Sequence, residues 1–191
     1  MKKPNKGEYG YLKHYKLSKL MIIMLLAVML AAVVIGTLIM FGDTSRVIIV
    51  FAILLSLPLA KYIIAYIIVA KFSGLTFDEH VKISNNYKSK DDCLLFDITI
   101  SQYEGIRFYH SMFVKNGKIY ALVLNKDFQQ SKKDYEKWVL DCIINNKFKY
   151  KVSLFNDIDE YVKKINSVSE PNDNNKLIDR HIREEILSAG V

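Results

Sequence analysis

Two long stretches without charge, five residues apart, constrain this chain more than anything else in it. Residues 20–41 (LMIIMLLAVMLAAVVIGTLIMF) hold no ionisable side chain, and residues 47–70 are interrupted only by Lys61. As helices they measure about 33 and about 36 Å, against a hydrocarbon layer of about 30 Å. Both are long enough to span. The first is longer than the apolar core of a secretory signal and has no small-x-small cleavage site before a polar start, so it reads as a retained anchor. A connection as short as GDTSR (42–46) makes the two neighbours antiparallel: a transmembrane hairpin.

Charge supports the same placement. The chain carries a net +7, and residues 1–71, with nine basic and two acidic side chains, account for all of it; residues 72–191 hold 18 of each sign. A basic segment beside a spanning helix is explained by orientation and by anionic lipid, so no nucleic-acid partner is expected. Six lysines precede the first stretch and Lys71 follows the second, which puts both termini in the cytoplasm. Lysine outnumbers arginine 23 to 4, a bias of AT-rich bacterial genomes. The expected location is therefore the bacterial inner membrane, multi-pass. Cys93 and Cys142 then face a reducing compartment as free thiols.

The hairpin supplies the candidate interface residues. Lys13, Lys16 and Lys19 fall on one side of a helix beginning near EYGYLK, suited to the anionic inner leaflet. Lys61 stands roughly 8 Å inside the boundary, a depth its stem covers by snorkelling, with Tyr62 and Tyr66 in the aromatic belt. The alternative is that Lys61 faces the hairpin interior as an ion or proton site, beside a kink at Pro58, although neither stretch offers an acidic partner. Small-xxx-small rows mark the expected helix contact: Ala27, Ala31, Ala32 and Gly36 in the first helix, Ala52, Ser56 and Ala60 in the second. The same faces allow a homo-oligomer.

Beyond residue 72 the pattern becomes that of a folded domain. Thr76 and Glu79 have capping-box spacing, which predicts a short helix over 76–87, and NNYKSKDD reads as a loop. In CLLFDITIS (93–101), Leu94, Phe96, Ile98 and Ile100 alternate with Leu95, Asp97, Thr99 and Ser101, a half-buried strand. Asn116-Gly117 between two β-rich arms predicts a tight hairpin, and the arm 118–124, apolar on both faces, a central strand. His110 is in register with Phe108 and Met112 and reads as a buried, hydrogen-bonded histidine. Residues 131–146 predict an amphipathic helix with Tyr135, Trp138, Val139, Cys142 and Ile143 on one stripe. A strand over 150–155, a helix capped by Asp157, a linker at 167–175 and a terminal helix over 176–187 complete the chain.

The expected class is thus a two-helix transmembrane hairpin plus a cytoplasmic α+β domain in the order α-β-β-β-α-β-α. Its boundaries are a basic juxtamembrane segment (1–19), the hairpin (20–71), the α+β domain (72–166), and a linker with terminal helix (167–191). The order over residues 76–155 resembles the restriction-endonuclease-like core in topology, a resemblance that would imply metal-dependent phosphodiester cleavage. However, the third strand, KIYALVLN, lacks that family's Glu-x-Lys, and Asp97 stands alone in the first. EYGYLK near the start and LPLAK inside the second span resemble uncharacterised small two-span bacterial membrane proteins, which implies the hairpin and brings no activity with it.

No Gly-rich phosphate loop, CxxC or metal-spaced histidine pair is present, so neither cofactor nor metal is expected. The functional expectation is a membrane-anchored binding or scaffolding domain with an unknown protein partner. A tethered enzyme using Asp97 or His110, and an accessory subunit of a transporter with Lys61 at a helix contact, are the alternatives.

Overall fold

The computed structural model describes residues 3–41, 46–87, 93–103, 105–125, 127–142, 151–168 and 173–190. The GDTS of the expected connection, residues 88–92 of the NNYKSKDD loop, Ile143 on the helical stripe, and residues 169–172 of the expected linker lie outside them. Among the described residues the chain forms six helices and a mixed four-stranded sheet. It divides into two compact units, one of residues 12–73 and one of residues 1–11 with 74–191.

The smaller unit is built on two helices, α1 (Tyr11–Phe41) and α2 (Arg46–Ala70). Both are long and apolar enough to cross a membrane. Large apolar side chains are exposed along them, including Met21, Met24, Leu25 and Val28 on α1 and Leu54, Leu57 and Ile64 on α2. α2 continues as a helix through Pro58.

The larger unit has three layers. Strands β1 (Leu94–Gln102), β2 (Gly105–Lys115) and β3 (Lys118–Leu122) form an antiparallel meander, and β4 (Lys151–Phe155) adds parallel to β3. β3 is therefore interior, as its apolar character on both faces predicts. One face of the sheet packs under α4 (Phe128–Cys142) and α6 (Asp173–Ala189), the other under α3 (Phe77–Asn86) and α5 (Ile158–Asn166).

Local signals place these elements where the sequence puts them. Thr76 and Glu79 form the complete capping box of α3, and Asp157 caps α5 by accepting from the Glu160 N–H at 2.9 Å. Asn116 (φ 55°) and Gly117 (φ 63°) both occupy the left-handed region, as a two-residue type I′ turn demands.

The unit boundaries differ from those read off the sequence. Residues 3–11 of the supposed juxtamembrane segment belong to the larger unit, because the Phe96 N–H donates to the Gly7 carbonyl at 2.8 Å and the Tyr9 ring stacks on His80 at 4.0 Å. The terminal helix α6 is no appendage either. Ile182 and Ile186 are fully buried against the sheet, and Asp179 accepts from the N–H groups of Asn116 and Gly117, each at 2.8 Å.

Candidate functional site

In the two-helix unit the candidate residues sort into two groups. Lys16 and Lys19 reach across to α2. The Lys16 ammonium donates to the Ala70 carbonyl at 3.0 Å, one of the groups that the end of a helix leaves without partners, and to the Phe72 carbonyl just beyond it. The Lys19 ammonium lies 4.8 Å from the Tyr15 ring centroid and 5.0 Å from that of Tyr62, within range of a cation–π attraction. Lys13 and Lys61 are exposed, whereas Tyr62 and Tyr66 are half-buried.

The small-residue rows are not brought together. Ala27, Ala31, Ala32, Ser56 and Ala60 are exposed, and only Gly36 and Ala52 are half-buried. The half-buried stripes run instead through Leu26, Leu30 and Val33 on α1 and Leu55, Leu59 and Tyr62 on α2, at the i, i+4, i+7 spacing of a helical face. Ser56 turns its hydroxyl back to the Ile53 carbonyl at 2.8 Å.

In the larger unit, Asp97 and His110 fall at opposite positions of one ladder, in a way that alternation along the strands did not foretell. The ladder pairs Phe96 with Ser111 and Ile98 with Tyr109, which sets Asp97 opposite His110. Asp97 has φ 53°, left-handed backbone inside a strand, a conformation that aspartate tolerates better than most residues. Its consequence is a change of face. Leu95, Ile98 and Ile100 all pack on the α4/α6 side, while Phe96 packs on the α3/α5 side. The expected grouping of Phe96 with Ile98 and Ile100 is thereby corrected. β2 slips at the same level: Tyr109 and Met112 face α4/α6, whereas Ser111 meets the Tyr161 hydroxyl of α5 at 3.0 Å. His110 consequently shares a ring contact with Phe108 at 4.9 Å but does not share a face with Met112.

Both side chains of this pair are buried and committed to backbone. The Asp97 carboxylate accepts from the Gly10 N–H at 3.0 Å. His110 Nδ1 accepts from the Leu124 N–H at 3.2 Å, which assigns the ring proton to Nε2. Burial pushes the His110 imidazole down to about 4, against a smaller opposing pull from Glu79, so it is neutral at pH 7. His80 is also lowered by burial, and Tyr9 above it is raised, first by burial and then by Asp97, Glu79 and Asp78.

Of the two free thiols, Cys93 is half-buried and Cys142 is enclosed: burial, with Glu185 adding to it, pushes the Cys142 thiol up to about 11. Among the described residues, no three His, Cys, Asp or Glu side chains are grouped to hold a metal ion. No protein family matches this chain, and neither does any curated protein or solved structure.

Proposed function

We propose that the chain is anchored in the bacterial inner membrane by α1 and α2, with both termini and the α+β unit in the cytoplasm, and that this unit binds or scaffolds a protein partner. The observation that carries the anchor is the exposure of large apolar side chains along both helices. Burying such surface gains about 25 cal/mol per Å², so faces of this size left in water would drive association. Lipid with an anionic inner leaflet suits them, and the lysines at the start of α1 set the orientation.

Binding is favoured over tethered catalysis by the geometry at Asp97 and His110. A general base needs an available lone pair on the reacting side. The His110 Nδ1 lone pair is taken by the Leu124 N–H, and the Asp97 carboxylate is buried, accepting from the Gly10 N–H and closely approached by Gly74. The likeness to the restriction-endonuclease-like core is carried as one of fold alone. Exposure of Ser56, Ala60 and Lys61 on α2 supports, as a second reading, a membrane-embedded contact with another helix: a second copy or a transporter for which this chain is an accessory subunit.

Topology labelling tests the reading. With Thr44→Cys in the connection, a membrane-impermeant maleimide added to intact spheroplasts should label that site while Cys93 and Cys142 stay unlabelled, and the protein should remain in carbonate-washed membranes. Release by carbonate, or no labelling at position 44, overturns it. Crosslinking from position 61 to a polytopic protein would select the second reading.

A further inference from the structure

We infer that Asp97 is the latch that fixes both junctions of the helical hairpin, the entry at Gly10 and the exit at Gly74, to a single strand residue of the α+β unit. Three observations within that unit meet at one carboxylate. On the entry side, Oδ2 accepts from the Gly10 N–H at 3.0 Å, one residue before α1 begins. On the exit side, Gly74 lies so close that a Cβ there would stand 2.8 Å from Asp97 Oδ1, a separation at which something must shift. At the strand itself, Asp97 has φ 53° and sits opposite His110, where β1 and β2 both change faces.

The latch is seated in a built surface. Residues 5–10 form a strap across the outer edge of β1: the Phe96 N–H donates to the Gly7 carbonyl at 2.8 Å, and Tyr9 stacks on His80, which in turn lies edge-on to Phe96 at 4.8 Å. The far end of the same edge is closed by the bridge between Ile100 and Gly190. An edge strand occupied in this way offers no free template to other chains. Displacing either junction displaces the Asp97 carboxylate, and a left-handed residue inside a ladder is the place where a strand yields first. Position 97 is therefore a coupling point between the hairpin ends and the β1–β2 ladder.

Hydrogen exchange on the full-length protein in detergent micelles tests this, and it reads the α+β unit whether or not the helices occupy lipid in the cell. Asp97→Gly keeps the left-handed backbone and deletes the carboxylate. It should speed exchange over residues 7–11 and 94–98 by tenfold or more and leave β3 and α4 at their original rates. Gly74→Ala should give the same signature from the other side, and should add nothing in the Asp97→Gly background. Asp97→Asn, whose amide oxygen still accepts from Gly10, should stay near wild type. Unchanged exchange over 7–11 in Asp97→Gly, a uniform rise that includes β3, or a Gly74→Ala effect equally large without the carboxylate would each overturn the latch.

Discussion

Asp97 and His110 occupy opposite positions of the β1–β2 ladder, and at their level both strands exchange the face they present to the helices. Because both strands slip together, the register is the same on either side, Phe96 with Ser111 and Ile98 with Tyr109. The slip places a histidine in an apolar surround with one lone pair spent on backbone.

That placement gives stability a defined pH dependence. His110 is lowered by burial from 6.5 to about 4, so the unfolded chain binds its proton more readily than the folded one. Stability is complete above about pH 6.5 and falls as pH drops towards 4, by about 3 kcal/mol over the full interval. Lowering of His80 by burial acts in the same direction. Thermal melts between pH 7 and 4.5 should show this loss. His110→Asn, which keeps an acceptor for the Leu124 N–H and does not titrate, should flatten the curve; an unchanged curve would exclude His110 as its source.

The β2–β3 turn depends on a helix sixty residues further along. Asp179 accepts from two backbone N–H groups at 2.8 Å, those of Asn116 and Gly117, and Asn175 Nδ2 donates to Asn116 Oδ1 at 3.2 Å. Hydrogen bonds to a carboxylate are among the stronger ones, so Asp179→Ala should cost about 3 kcal/mol in urea unfolding. Gly117→Ala, forced to φ 63°, should cost about 1 kcal/mol. A loss below 1 kcal/mol for Asp179→Ala would mean that the turn is self-supporting.

Local chemistry was legible in the sequence; long-range closure was not. The Thr76–Glu79 box, the Asn116-Gly117 turn and the Trp138 stripe depend on residues within one turn or one helix, so spacing alone reveals them. The slip at Asp97 is set by what lies beneath the strand, and LLFDITIS reads as plain alternation without that knowledge. Burial of Ile182 and Ile186 was equally hidden, because a charge-rich helix looks solvated until a sheet is put under it. At the hairpin, the side chains of Leu26, Leu30 and Leu59 are half-buried, while the small residues Ala27, Ala31, Ser56 and Ala60 stay exposed. Small-residue spacing marks where a helix is able to be approached closely, and does not name the helix that approaches it.

Lys16 ties the two long helices at one end. Lys16→Met keeps the stem and removes the donors to the Ala70 and Phe72 carbonyls. The expected loss is about 1 kcal/mol of helix-pair stability, read as a lower SDS fraction at the midpoint of unfolding from mixed micelles. Lys13→Met, an exposed position on the same helix, is the control and should leave the midpoint in place.

Cys142 should behave as a packed side chain rather than as a nucleophile. It lies among Trp138, Val139 and Ile186 in the α4/α6 core, and a thiol pushed up to about 11 is almost wholly protonated at pH 8, where an ordinary cysteine is partly thiolate. Cys93, half-buried at the start of β1, is more accessible. Iodoacetamide at pH 8 should therefore modify Cys93 first, with Cys142 reacting at a rate that follows unfolding and rises with urea. Cys142→Ala should leave a small cavity and cost about 1 kcal/mol without altering any binding activity of the unit. Rapid modification of Cys142 in the folded protein would show that α4 opens locally.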